Sequence, residues 1–254
     1  MKLKLKPMSK QVMVITRATS GIGLTTARMA VKQGATLVLA ARNRAALDTL
    51  AQQLAADAVP VATVVADVGN TADVAPIAET APARFGRIDT WVDNAGVAVF
   101  GRLEQIPQED HRRLFDTNFW GVVNGSLEAV KTMKEHGGAL TNLGSEVSDR
   151  AVPLQGMYSA SKHAVKGFTD ALRVELEHDK VPVSVTLIKP ARIDTLFAVH
   201  AKTIWTGNRR YRHQSTRRNS LRKLFCTPPS IRSAMCLSAA PPRRCRWQAS
   251  TCPV

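Results

Sequence analysis

An apolar run, Gln11-Val-Met-Val-Ile-Thr16, meets a glycine-bearing turn, Arg17-Ala-Thr-Ser-Gly21-Ile22-Gly23, and then a helical pattern from Leu24 to Gly34. A strand that turns tightly into a helix aims backbone N–H groups and a helix N-terminus at one point, where a pyrophosphate can be held. Short strand-like runs near 11–16, 35–41, 61–66, 88–93, 138–144 and 183–188 alternate with helical stretches. That alternation predicts an α/β chain with a doubly wound parallel sheet. At 254 residues the chain suits one such domain with an ample core.

A second pattern carries chemistry. In Tyr158-Ser-Ala-Ser-Lys162 a phenol and an ammonium stand one turn apart on one helix face. The lysine charge favours the phenolate, so a group with a free pKa of about 10 is expected to move protons near neutrality. Ser145, thirteen residues upstream, adds a hydroxyl able to hydrogen-bond a substrate oxygen. The trio suits proton transfer coupled to hydride transfer at a carbonyl or alcohol carbon.

Taken in order, these landmarks resemble the short-chain dehydrogenase/reductase family. The turn at 17–23 matches its T-G-x-x-x-G-x-G loop. Asp67-Val68, Asp93-Asn94-Ala95-Gly96, Asn118, Ser145, Tyr158, Lys162 and Lys189-Pro190-Ala-Arg-Ile193-Asp-Thr195 follow in the family's sequence, spanning nearly 190 residues. The resemblance implies a Rossmann-like single catalytic domain over residues 1–200. It also implies a carbonyl or alcohol as small-molecule substrate, and a homodimer or homotetramer built through the helices that contain Asn118 and Tyr158.

The resemblance assigns roles residue by residue. Tyr158 gives the proton and Ser145 hydrogen-bonds the reacting oxygen. Lys162 lowers the tyrosine pKa and holds the nicotinamide ribose, and Asn118 anchors a relay water. Thr16, Ser20, Gly21, Ile22 and Gly23 form the phosphate loop. Asp67 and Val68 meet adenine, and Asn94 and Gly96 support the ribose side and the sheet. Pro190, Ile193 and Thr195 contact the nicotinamide amide. Ser148 is a second hydroxyl at a less suitable spacing, His163 is expected to pack off the catalytic face, and Asp93 is expected to cap its turn. No metal site is implied.

Two positions depart from the family pattern. Arg17 replaces the first loop glycine, and at a positive φ a non-glycine residue costs roughly 1–2 kcal/mol. Its side chain either lies over the adenosine site or pairs with a cofactor phosphate. Ala191 stands where the family has glycine, a milder change. The cofactor itself is read from Ala40, Ala41 and Arg42 at the end of the second strand. An NAD enzyme would carry an acidic residue there for the ribose 2′-hydroxyl; one guanidinium and no carboxylate favour NADP(H) over NAD.

The net charge of +15 is unevenly placed. Residues 201–254 hold 12 of the 35 Lys and Arg and no Asp or Glu, leaving 23 against 20 in the first 200. The four cysteines, Cys226, Cys236, Cys245 and Cys252, also lie there, without the paired spacing of a zinc site. Shifted by one reading frame, Arg217 to Ala240 can be reread as an amphipathic helix, a basic turn and a strand ending in two glycines. The tail is therefore read as a disordered frameshift product, with the switch between about Ala201 and Asn208. The alternative is a basic tail for nucleic acid or anionic lipid, but no specific nucleic-acid motif is present. No run of 18 apolar residues indicates a membrane span, Met1 to Pro7 lacks a following apolar segment, and a cytoplasmic enzyme is expected. The competing function is a catalytically impaired Rossmann-like binding protein, crippled at Arg17 and in its tail.

Overall fold

The computed structural model describes residues 5–55, 59–191, 193, 197 and 201–204. The tail from 205 onward and Thr195 lie outside the described residues. The first strand, β1 (Val12–Thr16), is buried along its whole length. A strand covered on both faces must be apolar throughout, which is why it reads as an unbroken hydrophobic run. It feeds α1 (Gly21–Lys32), β2 (Thr36–Ala41), α2 (Arg44–Ala55), β3 (Val61–Val65), α3 (Val74–Phe85) and β4 (Thr90–Asp93). A two-residue β5 (Val99–Phe100) precedes α4 (Gln108–Phe115), a single π turn (Asp116–Trp120) and α5 (Gly121–Met133). The chain continues through β6 (Gly138–Leu143), the 23-residue α6 (Gly156–His178), β7 (Val183–Ile188) and β8 (Lys202–Thr203).

Six of these strands make one parallel sheet in the order β3-β2-β1-β4-β6-β7, and β5 pairs with β8 in a separate two-stranded ribbon. Every strand run expected from the sequence falls on one of the six sheet strands. Alternation along the strands divides the core into two layers. Val12, Val14, Val38, Trp91 and Leu140 pack against Ile77 and Ala81 of α3, Met133 of α5 and Leu172 of α6. On the other face Met13, Ile15, Leu37, Leu39 and Val92 meet Ala27 and Val31 of α1 and Leu47, Leu50 and Leu54 of α2. A third, smaller cluster of Val99, Ile106 and Leu114 takes in Tyr158 and Ile204.

The strand order reverses between β1 and β4. At such a switch point the connecting helices leave in opposite directions, and a crevice opens at the carboxyl ends of the two strands. The loops after β1, β2, β3, β4, β6 and β7 carry Ser20, Arg42, Asp67, Asn94, Ser145 and Pro190 respectively, with Gly21 opening α1. Nearly the whole candidate site is thus gathered along one edge of the sheet.

Candidate active site

Tyr158 and Lys162 occupy the start of α6. The Lys162 Nζ lies 5.9 Å from the centre of the Tyr158 ring. It is buried and donates a 2.7 Å hydrogen bond to the carbonyl of Leu143, the last residue of β6. Ser145 stands two residues farther on. Its Oγ accepts from the Val147 N–H at 3.3 Å, and the Ser145 N–H donates to the Ser148 Oγ at 3.1 Å. The Ser145 hydroxyl lies close enough to Tyr158 to favour its ionised form. Ser148 is fully buried and serves the turn that presents Ser145. Asp149, which follows, bonds Lys189 at 2.5 Å and pairs with Lys166 of α6 at 2.9 Å. These contacts tie the serine turn to both the catalytic helix and the exit of β7, and they hold the Asp149 carboxyl below its ordinary range, Lys189 contributing most.

The electrostatics differ from the sequence expectation. Burial pushes the Tyr158 phenol up to about 12; the Ser145 hydroxyl and the Arg17 charge pull the other way. The lysine expected to bring the phenol toward neutrality is itself weakened. Burial, then the nearby Arg17 charge, lower Lys162 to about 8, with Asp93 acting against them. A desolvated ammonium is costly, so the protein stabilises the phenolate less than the helix spacing alone suggests.

Asn118 sits in the π turn and is fully buried. Its Oδ1 accepts from Val97 N at 2.8 Å, while Nδ2 donates to Val97 O at 3.0 Å and to Ser161 Oγ at 3.1 Å. Both amide hydrogens are used, so the side chain clamps the loop after β4, and a relay water could be held only by the second lone pair of Oδ1 or by the backbone. Ser161 then donates to the Tyr158 carbonyl at 2.7 Å, completing a brace from that loop to the catalytic helix. Sequence reasoning missed Ser161, although it stands three residues after Tyr158, the spacing that shares a helix face. His163 is exposed, its Nδ1 2.8 Å from the Ser159 carbonyl; it does face away from the site, but at the surface and not in packing.

At the cofactor end several side chains have structural tasks. Thr16 is buried; its hydroxyl donates to Val92 O at 3.3 Å and accepts from Asn94 N at 2.9 Å and Ala95 N at 3.1 Å. It clasps β1 to β4 and has nothing left for a phosphate. Asn94 returns the bond, its Nδ2 donating to Thr16 O at 2.9 Å and Arg17 O at 3.2 Å. Asp67 turns from the expected adenine contact to pair with Arg113 and to accept from Gly69 N at 3.0 Å. Val68 is buried under Gly121 of α5. The chain must reverse after β3, and its turn N–H groups need acceptors, which claims the carboxylate. Pro190 accepts from Glu146 N at 3.2 Å, Ile193 is partly buried, and Arg42 is exposed just beyond β2.

The loop residues fit a dinucleotide at the pyrophosphate position. A Cβ on Gly23 would lie 2.4 Å from Arg17 O and 2.5 Å from Asn94 Nδ2, so only glycine allows α1 to seat this closely. Ser20 N-caps α1 without its hydroxyl bonding the helix N–H groups, and Ile22 is only partly buried beside it. That leaves the helix N-terminus facing the loop for an anion. Arg17 is the misfit. It adopts φ 50, the strained left-handed region, as does Gly21 at φ 55. Its Nη1 donates to Gly96 O, and the guanidinium lies over the Phe197 ring at 5.5 Å. Burial and the neighbouring Arg42 lower its pKa. The side chain therefore reaches toward Tyr158 and does not lie over the adenosine end.

Asp93 also departs from expectation. Instead of capping its turn it is buried beneath the site, accepting from Trp91 Nε1 at 2.8 Å and hydrogen-bonded to Ser126 Oγ at 3.2 Å. Ser126 continues to Asn142 Oδ1 at 3.2 Å, and Asn142 Nδ2 to Thr169 Oγ1 at 3.0 Å. Burial raises the carboxyl from 3.8 to about 8. The native state thus keeps a proton that the unfolded chain has lost, and this group's contribution to stability declines as pH rises from about 4 to about 8. Asp93→Asn, which presents the same acceptor without the charge, is expected to raise the melting temperature more at pH 8 than at pH 5. A gain that is equal at both values, in scanning calorimetry, would contradict this.

The profile of the family described as short chain dehydrogenase matches residues 11–203. The chain belongs to the short-chain dehydrogenase family. Among curated relatives, the uncharacterized oxidoreductase YxnA of Bacillus subtilis is 45% identical over 245 residues, covering 96% of this chain and 66% of that protein. The chain therefore spans just under two thirds of that relative's length, and the alignment runs past the family match into the basic tail. Among solved structures, an alcohol dehydrogenase from Thermococcus sibiricus complexed with 5-hydroxy-NADP matches with a TM-score of 0.77 at 27% identity, covering 87% of this chain and 93% of that one. A short chain dehydrogenase/reductase from Burkholderia phymatum in complex with NAD matches with a TM-score of 0.75 at 27% identity, covering 89% and 82%. That family is one of oxidoreductases, and both solved neighbours are complexed with a nicotinamide dinucleotide. No helix among the described residues is long and apolar enough to cross a membrane.

Proposed function

We propose that this short-chain dehydrogenase is an NADP(H)-dependent carbonyl reductase or alcohol dehydrogenase. The observation that carries the reading is the convergence of Ser145 and Lys162 on Tyr158 at the carboxyl edge of the sheet, beside the glycine loop. When bound, the dinucleotide supplies or accepts the hydride. Tyr158 Oη holds the proton that the substrate oxygen takes up. Ser145 Oγ orients that oxygen and stabilises charge developing on it. Lys162 Nζ, fixed on Leu143 O, keeps a positive charge behind the phenol. Asn118 and Ser161 brace the catalytic helix against the loop after β4.

NADP(H) is preferred in this proposal because Arg42 leaves β2 with no carboxylate at positions 40–42. The two solved neighbours carry one cofactor of each kind, so the argument rests on Arg42. Arg42→Asp is expected to weaken NADPH binding roughly tenfold to a hundredfold, the worth of one charge-assisted contact, while leaving NADH unchanged or improved. Fluorescence titration of both nucleotides measures this; equal loss for NADPH and NADH would reject Arg42 as the selector.

The proposal includes a cytoplasmic homodimer or homotetramer. Half-exposed Trp120 and Leu127 and the exposed Val174, on the helical segments that carry Asn118 and Tyr158, support the association. We also propose that the chain beyond about residue 204 is out of frame. The family match ends at 203, and β8 with Ile204 still belongs to the fold, Ile204 N donating to Phe100 O at 2.9 Å. The YxnA alignment, which extends farther, favours the other reading, a tail that is part of the protein. The impaired-binder reading is favoured by Arg17.

A further inference from the structure

We propose that Arg17 is a strap across the switch-point crevice, one that a bound dinucleotide must displace. The inference rests on the cofactor reading above and concerns the same site. Arg17 directly follows β1, on one lip of the crevice, and Gly96 follows β4, on the other. With φ at 50 the backbone throws the side chain across the gap, where Nη1 donates to Gly96 O. The guanidinium then lies 5.5 Å from the centre of the Phe197 ring, which lies 5.6 Å from the centre of the Tyr158 ring. One long side chain thus joins the glycine loop to the opposite lip and to the ring covering the proton donor.

Any ligand that reaches from the glycine loop to Tyr158 must pass through the span that this side chain bridges. A glycine or alanine at position 17 could not reach Gly96, so the closure belongs to the arginine and not to the fold. The bond to Gly96 is to a neutral carbonyl, so the strap is one that binding can open, and opening it weakens the apparent affinity of the dinucleotide. Phe197 holds the guanidinium from the Tyr158 side and makes the closure depend on both lips. The adenosine half of the cofactor is expected on the side of Arg42, away from Phe197.

The test compares the full-length chain with Arg17→Gly, Arg17→Ala and Phe197→Ala, titrated with NADPH and with 2′,5′-ADP, which lacks the nicotinamide half. Arg17→Ala keeps the backbone strain and removes only the strap. It is expected to bind NADPH about tenfold more tightly and to change 2′,5′-ADP by less than about threefold. Phe197→Ala is expected to give a smaller gain of the same kind, and Arg17→Gly at least the gain of the alanine variant. Weaker NADPH binding by Arg17→Ala would overturn the strap and make the guanidinium a phosphate ligand. An equal gain for both nucleotides would also overturn it, placing the effect in the glycine loop. If all variants bind NADPH alike, the strap falls and the cofactor reading stands. If none binds either nucleotide, the cofactor reading falls and takes the strap with it.

Discussion

Tyr158→Phe is expected to abolish turnover on every carbonyl or alcohol substrate while leaving NADPH affinity within about twofold. The substitution removes one oxygen and keeps the ring that packs 5.6 Å from Phe197, so the site retains its shape. General acid catalysis contributes roughly 10²–10⁴-fold. Retention of even about a tenth of the rate would reject Tyr158 as the proton donor. The pH profile makes the same assignment from another side. With the phenol at about 12 and the ammonium at about 8, the first charge lost on the alkaline side is that of Lys162. Carbonyl reduction should therefore be level below pH 8 and fall above it. Lys162→Arg, which keeps the cation, should move that fall to higher pH; an unmoved profile would remove the lysine from the proton-transfer step.

Restoring the alternative reading frame after about residue 204 is expected to raise the melting temperature and to yield a soluble oligomer. Among the described residues β7 is the edge of the six-stranded sheet, its apolar Val183, Val185 and Ile188 buried and its outer backbone without a partner strand. Arg173 of α6 covers one carbonyl, donating to Val185 O at 3.0 Å. An exposed edge of this kind invites association. Each large apolar side chain newly covered is worth roughly 1.5–3 kcal/mol, against a net domain stability of only about 5–15 kcal/mol. A few such contacts decide whether the chain is marginal. Calorimetry and sedimentation of the two proteins give the answer. Cooperative melting of the present chain as a stable tetramer, with the tail protected from protease, would show that the tail is a structural element.

The sequence by itself determined the α/β class, the strand positions and the helix carrying Tyr158 and Lys162. These follow from local rules: a buried parallel strand must be apolar throughout, and residues four apart must share a helix face. It also located the carboxyl-edge loops, because each glycine or polar turn directly follows its strand. What only the tertiary structure decided is how those side chains are used. Thr16 was legible as a loop residue, but its clasp on Asn94 and Ala95 depends on β4 lying beside β1, 76 to 79 residues away in the chain. Asp93 is visible as a carboxylate in any reading, yet its raised pKa comes from burial in the packed fold, which outweighs the opposing hydrogen bonds from Trp91 and Ser126. Arg17 was visible as a departure, and its reach to Gly96 and Phe197 was not. Hydrogen bonds and desolvation are set by neighbours distant in sequence, so the chain pattern names the reacting groups, whereas the packing fixes which of them remain free to react and at what pKa.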